Sequence, residues 1–163
     1  MAKKAAVLMG SASDFPVMER AVAELKKLGV TVECHIMSAH RTPELVTEFA
    51  RRASDEGFGV IIAGAGKAAH LAGFCAAHTI LPVIGVPLKS DALDGLDALL
   101  STAQMPPGIP VAAVSIDGAL NAAILAAQIL AAGDPEIARA LELSRTRMKQ
   151  SVLDNDAALQ TKY

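Results

Sequence analysis

The sequence predicts an α/β fold in three α/β/α layers: a doubly wound parallel sheet of about five strands with a helical extension at the C-terminus. Short apolar runs alternate with helix-like segments throughout, and the connections between them are short. Several runs are apolar from end to end, which is typical of central strands buried on both faces. No linker rich in Gly, Ser or Pro divides the 163 residues, so we predict one domain with a core at 5–132 and a tail at 134–163.

The composition favours a small-molecule partner over nucleic acid or membrane. The formal net charge is -2 with both signs spread along the chain, which provides no basic surface for nucleic acid and no polybasic membrane patch. The longest apolar stretch, Ala119 to Ala132, is too short to span a bilayer. We therefore expect a cytoplasmic protein, in which Cys34 and Cys75 are buried, reduced thiols without metal-ligand spacing.

The first predicted strand, Ala5 to Met9, ends in a turn suited to a phosphate. The turn, Gly10-Ser11-Ala12-Ser13-Asp14, combines small residues, which let a ligand approach the backbone, with two hydroxyl donors. The helix that follows adds free N–H groups and the positive end of its dipole. The same residues are also typical of an ordinary capped turn. This helix is expected to end near Leu28, because Gly29 follows.

The second predicted strand, Thr31 to Met37, alternates in polarity as a half-exposed edge strand does. It leads into Ser38-Ala39-His40-Arg41-Thr42-Pro43, where a proton carrier and a fixed cation stand side by side on a connection. Thr42 can cap the next helix and Pro43 can begin it. A solvated loop histidine beside a surface arginine is the alternative interpretation. Four apolar side chains of that helix are expected to face inward: Leu45, Val46, Phe49 and Ala53.

The third predicted strand, Val60 to Ala63, opens into a glycine-rich turn, Gly64-Ala65-Gly66-Lys67, followed by His70. Bare backbone amides there could face a ligand, with the polar ends of Lys67 and His70 beside them. The G-x-G-x-x-G spacing of a dinucleotide site is absent, so NAD binding is rejected. A helical His70 hydrogen-bonded in the core is the alternative, and His78 is expected to be structural or exposed.

The last predicted elements complete the sheet and its cover. Strands at Pro82 to Val86 and Val111 to Val114 flank a helix that carries several leucines. From Gly118 to Ala132 an alanine-rich helix has almost no polar face, which suggests that subunits pack against it. The charged tail is expected to be helical to about Gln150 and frayed beyond.

Three of these turns should meet at one crevice. In the flavodoxin-like strand order, ligands bind outside the carboxyl ends of the first and third strands, where the order reverses. That rule brings together Ser11 and Ser13, His40 and Arg41, and the segment Gly64 to His70. The predicted convergence favours a functional site over three unrelated turns.

Taken together, these residues resemble the N5-carboxyaminoimidazole ribonucleotide mutase family of purine biosynthesis. The matching segments are Met9 to Asp14, Ser38 to Pro43, Gly64-Ala65-Gly66 with Ala68-Ala69-His70-Leu71, Gln104-Met105-Pro106, and Asn121 to Leu130. The resemblance implies an enzyme without metal or cofactor, assembled as a homo-octamer, that moves a carboxylate from the exocyclic nitrogen of an aminoimidazole ribonucleotide to ring carbon C4. The sequence departs from the family pattern at Lys67, where a small or apolar residue is usual, and at Ala72, where proline is usual.

The resemblance also implies a role for each site residue. His40 would be the general acid/base, protonating the carbamate nitrogen so that CO2 leaves. The residues that would bind the ribonucleotide are Ser11, Ser13, Asp14 and Arg41. The residues that would line the side of the base and CO2 are Ser38, Gly64, Gly66 and His70. Two alternatives stay open. One is a carboxylase of the same fold that uses free CO2, and the other is a non-catalytic flavodoxin-like module, such as a phosphoacceptor receiver or a flavin carrier.

Overall fold

The computed structural model describes residues 4–163, and its centre is one parallel sheet. Within that range the sheet has five strands in the order β2-β1-β3-β4-β5, so the predicted doubly wound fold and its strand order are confirmed. Each neighbouring pair is parallel. The strands are β1 (Lys4–Met9), β2 (Thr31–Ile36), β3 (Phe58–Gly66), β4 (Val83–Leu88) and β5 (Ala112–Ala113).

Helices cover the sheet on both faces. They are α1 (Phe15–Lys27), α2 (Pro43–Arg52), α3 (Leu71–Ala76), α4 (Leu96–Ala103), α5 (Ala119–Ala131) and α6 (Pro135–Gln160), with short 3-10 turns at Ala12–Asp14 and Leu93–Gly95. One core cluster joins the sheet to α1, α5 and the start of α6, and a second joins it to α2 and α3. The sheet therefore forms the middle of three layers.

Side chains of β1 alternate between the two core clusters. Val7 and Met9 belong to the cluster under α1 and α5, whereas Ala6 and Leu8 belong to the cluster under α2 and α3. All four are 0% exposed, as expected of a parallel strand covered on both faces. The rigid ends of β1 and its neighbour β3 therefore fix where the connections after them begin.

The third strand is longer than predicted. Gly64, Ala65 and Gly66 belong to β3 and pair with Val86, Pro87 and Leu88 of β4, so the turn begins at Lys67. The sequence suggested otherwise because two glycines in a row of three residues are typical of a turn. Here they extend a strand that closely contacts its neighbours.

The structure also corrects the argument made from α5. The chain itself covers this helix, because α1, α6 and β3 pack against it. Its buried residues are Ala119, Ala122, Ala123, Ala126, Ala127 and Leu130. Leu120, Asn121 and Gln128 remain exposed. The apolar character of α5 is therefore explained within one chain and does not by itself require another subunit.

Three smaller expectations were wrong. Cys34 is exposed, because it lies on β2 at the edge of the sheet, while Cys75 is buried as expected. Leu45 on α2 is 51% exposed instead of inward, since Val46 and Phe49 already fill that face. Helix α6 continues to Gln160 instead of ending near Gln150.

Candidate active site

Four connections after parallel strands surround one cavity of about 550 Å³. It lies at the carboxyl ends of β1, β2, β3 and β4, which is where the topological rule places a ligand. The predicted site residues that line it are Ser11, Ser13, Asp14, Ser38, His40, Arg41, Gly66 and His70. The expected convergence of three separate turns is therefore present in the folded chain.

The turn after β1 is organised by a reciprocal pair of hydrogen bonds. The Ser11 N–H donates to Asp14 Oδ2 at 2.9 Å, while Ser11 Oγ is the side-chain acceptor that caps the 3-10 turn. The Ser13 hydroxyl donates to Ser11 Oγ at 3.0 Å. Burial raises the pKa of the Asp14 carboxyl above its ordinary value, although bonds from Ser11 and Ser13 and the Arg41 cation lower it. A polar, preorganised edge of the cavity results.

The turn after β2 is held by hydroxyls that bond its own backbone. The Ser38 N–H donates to Thr42 Oγ1 at 2.9 Å, and the Thr42 hydroxyl donates back to the Ser38 carbonyl at 3.2 Å. Thr42 is the N-cap residue of α2, but its side chain caps no helical N–H, contrary to the sequence-based expectation. The Ser38 hydroxyl accepts from the Arg41 N–H at 3.1 Å. The hydroxyls therefore shape the loop that presents His40.

Arg41 reaches from this turn to the end of β1. Its Nη2 donates to the Gly10 carbonyl at 2.7 Å, and its Nε lies 3.4 Å from the Ser38 hydroxyl. A guanidinium has five N–H donors, so these contacts leave donors free for an anion. Arg41 is thus oriented in advance at the border between the first and second turns.

The two cavity histidines contact each other. His40 Nε2 lies 2.7 Å from His70 Nδ1, and the ring planes meet at 82°. Both side chains are exposed in the single chain. His70 is the N-cap residue of α3 and is not a buried core residue, which removes the structural alternative considered for it. His78 instead bonds the Phe74 carbonyl at 2.8 Å, away from the cavity, as expected of a structural histidine.

The cavity is electrostatically positive among the described residues. Arg41, Lys67 and Lys89 line it, and Asp14 is the one acidic side chain that does. Lys89 also forms an ion pair with Asp94, with Nζ and Oδ1 3.1 Å apart. Cations on three separate connections suit a ligand with more than one anionic group.

Gly64 is the predicted site residue that lies outside the cavity lining. It is buried within β3, and its carbonyl accepts the Gly10 N–H at 3.3 Å. A Cβ at this position would be 2.3 Å from the sulfur of Met18 on α1. The absence of a side chain there makes room for core packing beneath the site.

The two departures from the family pattern have different surroundings. Lys67 is exposed on the cavity wall with φ of 54°, a left-handed conformation that costs a non-glycine residue about 1–2 kcal/mol. Ala72 is a buried residue of α3 that would touch a Cβ built at Gly85, so it faces the core. Of the two, only the lysine therefore lines the cavity.

Lys89 and Ser90 also line the cavity, although they were not among the predicted site residues. Both follow β4, which lies next to β3 in the sheet. The rule that collects strand ends at one edge could have identified them, because it applies equally to the connection after the fourth strand.

Residues 4–163 lack a metal-binding cluster and a membrane-spanning helix. No group of three or more His, Cys, Asp or Glu side chains in this range is arranged to hold a metal ion. None of its helices is both long enough and apolar enough to cross a membrane.

Comparisons with known proteins agree with this geometry. A family model described as AIR carboxylase matches residues 4–151. An N5-carboxyaminoimidazole ribonucleotide mutase of Pyrococcus abyssi is 57% identical over 147 residues, which cover 90% of this chain and 84% of that protein. The mutase of Thermotoga maritima is 52% identical over 154 residues, covering 94% and 90%. The crystal structure of Treponema denticola PurE superposes with a TM-score of 0.88 at 32% identity, covering 96% and 98%.

Proposed function

The chain belongs to the AIR carboxylase family, and we propose that the cavity described above is the site at which it rearranges its substrate. Relatives that are 50–57% identical bear the name N5-carboxyaminoimidazole ribonucleotide mutase. The chain is accordingly an isomerase of purine biosynthesis, which converts N5-carboxyaminoimidazole ribonucleotide to 4-carboxy-5-aminoimidazole ribonucleotide. The observation that carries the site proposal is the meeting of His40, Arg41 and the Ser11–Asp14 turn on one cavity.

His40 is the proposed general acid and base. Its protonated imidazole donates a proton to the carbamate nitrogen, the bond from nitrogen to the carboxylate carbon breaks, and CO2 leaves. Ring carbon C4 then attacks CO2, and the neutral imidazole removes the proton from C4. One proton is lent and recovered, so atoms and charge balance without a metal or cofactor. Imidazole suits both steps because it exchanges protons near neutral pH.

The uncharged intermediate CO2 needs a wall that neither hydrates it nor lets it diffuse away. Ala39, Ala65 and Ala68 contribute small apolar surfaces to the cavity beside the histidines. Gly66 leaves its backbone open to the ligand, and His70 Nδ1 holds the His40 ring through its contact with Nε2. We propose that this side of the cavity receives the base and CO2.

The ribonucleotide phosphate is proposed to bind between Arg41 and the first turn. The free guanidinium donors and the Ser11 and Ser13 hydroxyls supply the charge-assisted and neutral hydrogen bonds that phosphate oxygens accept. Asp14, a carboxylate acceptor at the same turn, is proposed to take the ribose hydroxyls. The Ser38 hydroxyl accepts hydrogen bonds from the backbone N–H and from Nε of Arg41, and so orients the guanidinium for the ligand.

A carboxylase that joins free CO2 to aminoimidazole ribonucleotide is the second candidate, favoured by the description of the family model. Purified protein should be given either N5-carboxyaminoimidazole ribonucleotide, or aminoimidazole ribonucleotide with bicarbonate, and the 4-carboxy product followed. We expect efficient turnover of the first substrate. Rapid turnover of the second alone would make the chain a carboxylase, and no turnover of either would overturn both assignments.

We further propose that the chain works as a homo-octamer in the cytoplasm. Large apolar side chains are exposed in the single chain, among them Ile80 at 97% and Val152 on α6 at 68%. The catalytic side chains are exposed as well, so a neighbouring subunit could close the site. Light scattering after size exclusion should give about eight times the 16.8 kDa mass of the chain. A monomeric mass would contradict assembly. Free Cys34 and Cys75 suit a reducing compartment.

A further inference from the structure

Ser101 on α4 does not line the cavity, yet it bonds the loop that carries His70. Its Oγ accepts the backbone N–H of Ala69, the residue before His70, at 3.1 Å. Ala69 is 1% exposed, so this N–H has no ready access to water as a replacement partner. A side chain from a separate helix thereby satisfies a buried donor next to His70.

We propose that Ser101 is a positioning residue for the reaction. It fixes the position of the Lys67–His70 loop relative to α4 and so keeps His70 in contact with His40. The inference rests on the proposed function of the His40 site. Ser101 touches neither histidine, and its effect passes through the backbone at Ala69.

The direction of the Ser101 hydrogen bonds is set by its single proton. The hydroxyl lies 2.8 Å from the Asp97 carbonyl, 3.2 Å from that of Ala98 and 3.5 Å from that of Lys67. The proton goes to the nearest acceptor, on α4 itself, which leaves an oxygen lone pair for the Ala69 N–H. The hydroxyl therefore joins the helix to the loop through one donated and one accepted hydrogen bond.

The loop needs this link because its backbone belongs to neither a strand nor a helix. The pairing of β3 with β4 ends at Gly66, and α3 begins only at Leu71. Between them Lys67 has a left-handed φ of 54°, a conformation that persists only where the surroundings hold it. In the part of the chain that the structure describes, Ser101 is the residue whose side chain hydrogen-bonds the backbone of this loop.

The test compares Ser101→Ala and Ser101→Thr with a matched control, Thr102→Val. Thr102 is the next residue, and its hydroxyl also donates to a carbonyl of α4, that of Ala98 at 2.7 Å, but it bonds no loop atom. Valine keeps its shape. We expect Ser101→Ala to lower kcat about tenfold with KM changed less than about threefold, and Ser101→Thr and Thr102→Val to stay near the wild-type kcat.

A double-mutant cycle separates positioning from general loss of structure. If Ser101 acts through His70, Ser101→Ala should cost little further activity in a His70→Asn background, and the pH profile of Ser101→Ala should shift toward that of His70→Asn. Losses that multiply, an unchanged kcat in Ser101→Ala, or an equal loss in Thr102→Val would overturn the proposal. Should Ser101→Ala fail to fold by circular dichroism, Ser101→Cys replaces it. Failure of the proposed function is distinct, because wild-type protein would then show no turnover.

Discussion

His40 Nε2 lies 2.7 Å from His70 Nδ1, although the two residues are 30 positions apart and follow different strands. A hydrogen bond between two imidazole nitrogens contains one proton, so one ring donates and the other accepts. Each ring therefore limits the rotation of the other. His40, the proposed general acid and base, has in His70 a neighbour that holds its ring in one orientation.

Replacing the central histidine tests its chemical role. His40→Asn should lower kcat by roughly 10²–10⁴, because asparagine can hydrogen-bond but cannot exchange a proton near neutral pH. Substrate affinity, measured by calorimetry, should change little. His35→Asn is the matched control, since His35 pairs with Glu33 on β2 outside the cavity. A near-normal rate in His40→Asn would remove the acid/base assignment.

Arg41 should contribute mainly to binding. We expect Arg41→Ala to raise KM roughly tenfold or more, because it removes charge-assisted hydrogen bonds to the phosphate, with a smaller effect on kcat. Arg52→Ala is the control: that arginine lies on α2 and faces Glu48 and Glu56 at 3.6 Å. An unchanged KM for Arg41→Ala would contradict the phosphate contact.

Asp14 should weaken stability at neutral pH while serving the site. Its folded pKa is raised from 3.8, mainly by burial, so the folded state binds the proton more tightly than the unfolded state. The contribution of Asp14 to the free energy of unfolding therefore falls as pH rises from the unfolded value through the raised folded value. Above that window Asp14→Asn should melt at an equal or higher temperature than the wild type.

The pH dependence of the Asp14→Asn variant checks the direction of this stability effect. As pH is lowered through that window, the difference in melting temperature between Asp14→Asn and wild type should shrink or reverse, because the wild-type carboxyl becomes neutral. The mutant should still turn over substrate more slowly, since a neutral amide is a weaker acceptor for ribose hydroxyls. A mutant less stable at neutral pH than in acid, relative to wild type, would refute the burial argument.

Gly64 should matter for packing more than for ligand contact. A methyl group added by Gly64→Ala would lie 2.3 Å from Met18 Sδ if nothing moved, so the flexible but buried Met18 side chain must shift, at a cost of about 1 kcal/mol. Melting by circular dichroism should show the loss. In a Met18→Ala background the same substitution should cost less, because the added methyl then has space. Additive losses in the double mutant would mean that the two residues do not compete for volume.

The strand order and the crevice were predictable because each depends on short-range patterns. Apolar runs such as Ala5 to Met9 mark buried strands, and the topological rule then places the ends of β1 and β3 together. These steps need only the order of elements along the chain. Most of the predicted site residues line the cavity for that reason.

Other features depend on contacts that no local pattern encodes. The hydrogen bond between His40 and His70 depends on the relative positions of two loops. The need for a glycine at position 64 depends on where the Met18 side chain of α1 packs. The apolar pattern of α5 led to the expectation that subunits pack against it, because the pattern alone does not say which part of the chain covers the helix. The structure resolves it through α1 and α6, which pack on that helix from distant parts of the sequence.

The second half of α6 links the assembly of subunits to the stability of a helix. From Glu142 onward the helix side chains are exposed apart from Ser144, yet the helix continues to Gln160, about five further turns. In proteins most helix stability comes from tertiary packing, and the side chains of this segment are mostly exposed in the single chain. Contacts with other subunits, of the kind that the proposed assembly would supply, would therefore stabilise it. Mean residue ellipticity should therefore rise with protein concentration, and the backbone itself would report the population of assembled subunits.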